Sequence, residues 1–378
     1  MLDKTTTSLI TDTISSKSDD DTPVKESLND SIKIVGRINN IPTTRYYGSK
    51  RRIVNWIYEN LKDISFNTVL DGFGGTASIS LLFKAMQKSV TYNDILVSNT
   101  VSARALLIDK NPVNQVVFEK FLTTISPEEG VISRNFNGLF FTDNENLWLD
   151  GAVKKIQTLE KNTQNIFLYC LFQSCLKKRP FNLFHRANLN LRVNDIDKRS
   201  FGNLTTWNTS FETHMKTAFK EINSSIWNSE MPYSVLNAGN ICDVKNGFDL
   251  VYLDPPYMGT ASVSDDYMRK YHFLEGMTLY NEWLQNIDFT SKSLSFKPNP
   301  ELKKWHKRES FQQLLFDLVE YHKNSVVVLS YVSDAYPSIE ALLKHFNQTF
   351  SFTVTASKEI SKALSKIKRK EVLVIGLP

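Results

Sequence analysis

The sequence predicts an α/β protein: an open sheet built in two halves, with a mainly helical segment inserted between them. Three observations predict it. Residues 67–94 run strand, glycine turn, helix, strand, acid. Residues 248–257 carry an apolar strand into a rigid Asp-Pro-Pro-Tyr turn. Between about 100 and 235 the strand–helix alternation stops, and helical patterns mix with Asn-rich loops and a basic stretch.

The elements follow in chain order. Residues 1–34 hold seven Asp/Glu against four Lys, are rich in Ser, Thr and Asp, and read as a disordered tail. The block Arg45-Tyr46-Tyr47-Gly48-Ser49-Lys50-Arg51-Arg52 is a basic turn ahead of an amphipathic helix, 53–61. A short β-rich run, 67–70, ends at Asp71-Gly72-Phe73-Gly74-Gly75-Thr76-Ala77-Ser78. An apolar helix follows over 79–86, then a second strand, 89–92, ending at Asn93-Asp94. This is the opening βαβ unit of a nucleotide-binding fold, and Asp94 lies near the separation expected of a carboxylate that binds ribose hydroxyls. Helical patterns are expected around 101–108 and 156–176. Strands then resume at 248–253, 325–330 and 371–375, with a helix at 338–346. The domain reading is a catalytic domain over 35–100 and 236–378, interrupted by an insertion over 101–235.

Composition narrows the class. The 378 residues are 41% hydrophobic and 12% aromatic, which indicates an ordered globular chain with a sizeable core. No apolar stretch approaches the roughly 18 residues of a membrane span, and the amino terminus lacks the features of a secretory signal. Cys170, Cys175 and Cys242 match no zinc pattern or disulfide framework, so no metal is expected and a cytoplasmic setting fits best. Cys170 and Cys175, about a helical turn apart, read as core. The net charge of +5 is uneven: the tail carries −3, leaving +8 on the rest. Lys177, Lys178, Arg179, Arg186, Arg192, Lys198 and Arg199 fall within 177–199 against Asp195 and Asp197, with smaller basic clusters at 297–308 and 362–370. Such clustering points to a polyanionic partner; the bland reading of any one cluster is a solvated face.

Residues 252–257, Tyr-Leu-Asp-Pro-Pro-Tyr, are the most informative. They sit where a buried strand ends, and ligands of open α/β sheets bind there. Two prolines remove two backbone donors and fix φ, so the carbonyls before them point in set directions. With the Asp254 carboxylate and the Tyr257 ring, the turn offers two acceptors and a stacking plane. That combination suits a planar base held by its exocyclic amine.

The order of these motifs resembles that of the Dam-like DNA adenine-N6 methyltransferases, alpha group, in which cofactor motifs precede a target-recognition domain and then Asp-Pro-Pro-Tyr. The resemblance covers roughly 40–378. It implies a class I, Rossmann-like methyltransferase sheet that uses S-adenosylmethionine. It implies cofactor roles for Tyr46 at the cofactor mouth, Lys50 near the methionine moiety, and Asp71, Phe73, Gly74, Gly75 and Thr76 in the bend around the cofactor. Asp94 would hold the ribose, Asn240 and Ile241 would lie beside the cofactor adenine, and Asp254 would adjoin the cofactor as well. Tyr271–Gly276 and Leu329–Asp334 resemble later family blocks on the catalytic side, and Arg179–Leu189 resembles a segment of restriction-modification members. The chain departs from the pattern at Gly72 (for Pro), Ala77 (for Gly) and Asn240 (for Asp).

The implied activity is methylation of a flipped-out adenine in double-stranded DNA, with Asp254, Pro255, Pro256 and Tyr257 as the catalytic turn. The amine's lone pair is delocalised into the ring; Asp254 and a carbonyl, that of Pro255, accept both its hydrogens and localise it. A base inside a duplex cannot reach such a pocket, so it must be extruded. Lys177, Lys178, Arg179, His185, Arg186 and Arg192 are the expected DNA contacts, while Phe181, Phe184 and Trp207 read as packing residues. A monomer, with a cognate restriction endonuclease as a partner and no membrane association, completes the reading. Cytosine-N4 or RNA adenine methylation, and a non-catalytic DNA-binding relative, are the alternatives.

Overall fold

The computed structural model describes residues 22–107, 113–194, 203–259, 266–300, 302–360 and 369–378, with side chains from residue 30 onward. Among the described residues the strands are β1 (Thr68–Asp71), β2 (Ser89–Tyr92), β3 (Tyr233–Val235), β4 (Leu250–Leu253), β5 (Met258–Gly259), β6 (Val326–Val332), β7 (Ala335–Tyr336), β8 (Phe352–Ile360) and β9 (Arg369–Leu377). Seven form one sheet in the order β3-β2-β1-β4-β6-β9-β8, while β5 and β7 make a short antiparallel ribbon. The first five of the seven pair in parallel, and β9 runs antiparallel to both β6 and β8.

The burial pattern explains the sheet. Every residue of β4 and β6 is buried, as expected of strands covered on both faces. Alternate residues feed two cores. Val69, Leu250, Tyr252 and Val328 enter one, and Leu70, Val251, Leu253, Val327 and Leu329 enter the other. Each such side chain contributes roughly 1.5–3 kcal/mol, as an upper estimate. Helices Val54–Leu61 and Ser78–Ala85 supply the first core, and Arg308–Tyr321 and Ile339–Thr349 the second. Because order reverses between β1 and β4, a crevice opens at their carboxyl ends.

Several expectations need correction. Residues Thr22–Asn39 form a helix, and Ile38 and Ile41 beyond the expected tail are buried, so order begins well inside 1–34. Residues 1–21 lie outside the described residues. The single helix expected over 156–176 is two, Asp143–Gln157 and Lys161–Lys177. The break occurs because the Glu160 carboxylate accepts from the Asn162 and Thr163 backbone N–H groups and starts a new helix.

Residues 101–235, expected as an insertion, include part of a helix that begins earlier and a strand of the main sheet. Residue 101 falls inside helix Val97–Leu106, and β3 pairs with β2, so the sheet resumes at 233. Between β2 and β3 the described elements are all helices. Their apolar side chains, including Phe118, Phe167 and Phe219, belong to the same continuous core as Val69 and Ile57. β3 and β8 escaped the sequence reading because both are sheet edges. The first is three residues long, and the second alternates too little, with most of its side chains exposed.

Candidate active site

The crevice between β1 and β4 is an open cleft of about 1070 Å³ including its mouth. Its floor is the glycine turn after β1. Gly72 N–H donates to Tyr252 O at 2.9 Å and Gly74 N–H to Asn93 O at 2.9 Å, which ties the turn to the neighbouring strands. Gly74 is required by packing, since a Cβ there would lie 2.1 Å from the Tyr92 ring. Gly75 has φ +50°, a left-handed conformation that suits glycine. Ala77 also adopts a left-handed conformation, φ 57°, where the family pattern has Gly. The turn feeds helix Ser78–Ala85, so its backbone closes around whatever lies above β1.

The expected cofactor residues gather here. Tyr46, Lys50, Asp71, Phe73, Gly74, Gly75, Thr76, Asp94, Asn240, Ile241 and Asp254 all line the cleft. Their side chains are already engaged in informative ways. Asp94 accepts from Gly75 N–H at 2.8 Å through Oδ2, and from Leu96 N–H at 2.8 Å and Asn99 Nδ2 at 3.1 Å through Oδ1. Oδ2 thus keeps acceptor capacity for one further donor. Burial raises the Asp94 pKa from its ordinary value, against those hydrogen bonds. Asp71 is buried, accepts from Ser80 Oγ at 2.6 Å, and is pushed up to about 7 by burial. Asn240 Oδ1 accepts from Cys242 N–H at 3.2 Å, which leaves its amide N–H₂ to face a ligand. Tyr46 stacks on Tyr271 at 4.3 Å and 6°, and its hydroxyl accepts from Asn99 Nδ2 at 2.9 Å. Phe73 meets Trp305 edge to face at 5.4 Å, which makes one wall apolar.

The Asp254-Pro255-Pro256-Tyr257 turn adjoins this cleft. Asp254 follows β4, and Pro255, Pro256 and Tyr257 line the same space. Lys50, expected near the cofactor's methionine moiety, lines the cleft, and its ammonium lies 2.9 Å from Asp254 Oδ1 and 2.8 Å from Glu371 Oε1 and donates to the Tyr257 hydroxyl. Tyr257 Oη donates to Asp254 Oδ1 at 2.7 Å and also lies 3.0 Å from Glu371 Oε1. Burial raises Asp254 to about 6, with Lys50 pulling down and Glu371 pushing up. Burial alone would lower Lys50, but Asp254 and Glu371 more than offset it and raise its pKa. Burial, then Asp254 and Glu371, push the Tyr257 phenol well above its ordinary value, so it stays a neutral donor. Tyr331 of the expected Leu329–Asp334 block packs edge-on against Tyr257 at 5.4 Å.

Glu371 was seen in the sequence merely as the start of a strand. It is 3% exposed, in β9, and also accepts from Ser330 Oγ at 2.7 Å. Its local signal was weak: a single carboxylate heading the apolar run Val372–Ile375.

The expected DNA contacts divide. Three of them point inward, which corrects the reading of 177–192 as one contact surface. Lys178 is buried, bonded to Glu145 Oε1 at 2.9 Å and Thr209 O at 2.7 Å. Arg192 is buried and holds both Glu145 oxygens at 2.6 Å. Arg179 is fully buried, its guanidinium 4.5 Å from the Phe140 ring centre and 4.0 Å from that of Phe184. It bonds Asn188 Oδ1 and Arg186 O, and burial pulls its pKa down to about 9. These cations bind helices and loops to one another. Lys177 is half-buried and pairs with Glu221 at 3.2 Å. His185 is half-buried and Arg186 exposed, so these two keep access to a ligand. Lys198 and Arg199 lie outside the described residues, as do residues 362–368 of the third basic cluster. Phe184 and Trp207 are buried and pack, but Phe181 is 52% exposed, not the packing residue expected.

A mostly parallel sheet with a cleft at its switch point, and a carboxylate after β4, is consistent with a methyltransferase fold. The comparisons with known proteins are specific. Residues 46–311 match the model of the D12 class N6 adenine-specific DNA methyltransferases. The chain belongs to this family of N6 adenine-specific DNA methyltransferases. It is 27% identical over 228 residues to the type II methyltransferase M2.HphI of Haemophilus parahaemolyticus, covering 58% of this chain and 67% of that protein. It is 23% identical over 320 residues to the modification methylase LlaI of Lactococcus lactis subsp. lactis, covering 77% of this chain and 48% of that protein. The match thus spans about half the length of the Lactococcus relative. Membership implies a methyl donor. Among the described residues no helix is long and apolar enough to cross a membrane.

Proposed function

We propose that the chain transfers a methyl group from S-adenosylmethionine to N6 of an adenine turned out of double-stranded DNA, within a restriction-modification system. The observation that carries this is Asp254, held at the end of β4 directly beside the glycine turn after β1. The donor set fits the cofactor. Asp94 Oδ2 retains an acceptor for a ribose hydroxyl, the Asn240 amide faces the same cleft, and Phe73, Ile241 and Trp305 give a slot for a base. When bound, the cofactor supplies an electrophilic methyl on a sulfonium.

The chain's own residues do the rest. With a pKa of about 6, Asp254 is ionised at neutral pH and accepts one amine hydrogen of the base. A carbonyl of the Pro-Pro turn accepts the other, and the lone pair localises on nitrogen. Asp254 would take up the surplus amine proton that methylation of the nitrogen leaves behind. Tyr257 lends its ring to the extruded base, which offsets part of the unstacking cost by roughly 1–3 kcal/mol.

DNA would follow the exposed basic groups around the mouth. Asp266, Met268, Leu302 and His306 line both the cofactor cleft and a neighbouring groove, and that groove carries Arg269, Lys297 and Lys303, all exposed. His185 lies within the field of Arg186, Lys270 and Arg269, which extends the basic band toward the insertion. This band takes the phosphate role that the buried Lys178, Arg179 and Arg192 cannot fill. Transfer of labelled methyl from S-adenosylmethionine to duplex DNA, followed by nucleoside identification, tests the activity. Binding measured across salt concentrations tests the band.

A further inference from the structure

We propose that Glu371 is a positioning residue of the methyl-transfer site: its carboxylate is the second acceptor for Lys50 and the Tyr257 hydroxyl, and so leaves Asp254 able to turn to the substrate amine. This deepens the function proposed above and rests on it.

Proton counting motivates the role. Tyr257 has one phenolic proton, yet its oxygen lies 2.7 Å from Asp254 Oδ1 and 3.0 Å from Glu371 Oε1. It can serve one carboxylate at a time. Lys50 has three protons, and its partners are Asp254 Oδ1, Glu371 Oε1 and the Tyr257 oxygen. Without Glu371, both donors would converge on Asp254 Oδ1, the group that must accept from the incoming base. With Glu371 present, the phenol swings to Oε1 and Lys50 keeps a second carboxylate as Asp254 engages the substrate.

Charge argues the same way. Lys50 and Asp254 alone would be a neutral buried pair. A second carboxylate, 3% exposed, adds repulsion with Asp254 and a further desolvation cost. A purely structural knot has no use for that extra charge. The fold nonetheless supports it from behind: Ser330 in β6, fully buried, donates to Glu371 Oε1 at 2.7 Å. The charged groups around Asp254 include Lys50, Glu371 and Asp71, and from β9 the Arg369 guanidinium, paired with Asp334, lies 5.6 Å from the Tyr257 ring centre.

The test compares wild type, Glu371→Gln and Ser330→Ala by single-turnover methyl transfer at saturating DNA and cofactor, across pH. In Glu371→Gln only a neutral amide oxygen remains to accept from Lys50 and Tyr257, so Asp254 is the one carboxylate left to pair with the ammonium. The rate should fall roughly 10–100-fold, and its acid limb should move to lower pH because Asp254 loses a neighbouring negative charge. Cofactor affinity should hold within about twofold, since none of the proposed cofactor contacts is altered. Ser330→Ala should lower the rate about threefold by loosening Glu371. A folded Glu371→Gln with unchanged rate or unchanged acid limb overturns the proposal. If that variant fails to fold, a Ser330→Ala enzyme with wild-type rate overturns it instead. Wild type that binds DNA but methylates no adenine removes the parent reading, and this proposal with it.

Discussion

Two charged regions of the molecule behave in opposite ways. At the carboxyl ends of the sheet, Lys50, Asp254, Tyr257 and Glu371 form a polar knot that borders an open cleft. Among the helices between β2 and β3, Lys178, Arg179 and Arg192 form a denser basic group, yet they turn inward onto Glu145, Asn188 and the rings of Phe140 and Phe184. Burial occurs in both, so burial is not the difference. The first cluster carries one more carboxylate than its lysine neutralises and adjoins a space where a ligand can enter. The second is less balanced still, three cations against the one carboxylate of Glu145, but it is closed in by rings and helices and stitches loops to helices. A run of charge therefore predicts a partner less well than a charged cluster that borders a cavity does.

The largest effect that could break this comparison comes from the knot. Asp254→Ala should lower single-turnover transfer by about 10³-fold or more, while melting stays within a few degrees and DNA affinity is retained. Transfer within about tenfold of wild type would remove Asp254 from the reaction. Next is the ring: Tyr257→Ala should cost about 10²-fold, and Tyr257→Phe much less, because stacking needs the ring rather than the hydroxyl. Equal rates for the two would contradict a stacking role.

The inward-facing cluster should respond in stability instead. Arg179→Ala empties the space between Phe140 and Phe184 and should destabilise the fold by about 3 kcal/mol, read as a lowered denaturant midpoint at unchanged slope. The salt dependence of DNA binding should not change. An intact midpoint with weakened DNA binding would return Arg179 to the surface. Replacing Arg269, Lys297 and Lys303 together by Ala should do the reverse. Affinity for every DNA sequence should fall, and the slope of log affinity against log salt should flatten by about 2–3, with stability unaltered.

The smallest effect is the pH profile. Asp254 accepts from the amine when ionised, so wild-type transfer should be flat above its pKa of about 6 and decline as pH falls through it. A profile that stays flat well below that value would mean that a neutral Asp254 suffices.

Much of the fold was legible because the informative segments are local. The apolar run into Asp254-Pro255-Pro256-Tyr257, the glycine turn at 72–75 and the acid at 94 each carry their signal within a few residues, and all three meet in the cleft. What was missed depends on pairing across the chain. Glu371 meets Tyr257 across 114 residues, through the antiparallel register of β9 on β6. No local pattern announces that contact. Lys178 and Arg192 were misread for the same reason: their partner Glu145 sits on another helix, where its visible signal is a capping box with Thr142. The edge strands β3 and β8 lack the buried alternation from which strands are read.

The central claim is that the knot at Asp254 methylates adenine. Duplex DNA of mixed sequence, incubated with the protein and S-adenosylmethionine carrying a labelled methyl group, can be digested and its nucleosides resolved. The account predicts label on N6-methyladenine, confined to one sequence context and lost in Asp254→Ala. Label on N4-methylcytosine, or on adenine at equal level in Asp254→Ala, would contradict it.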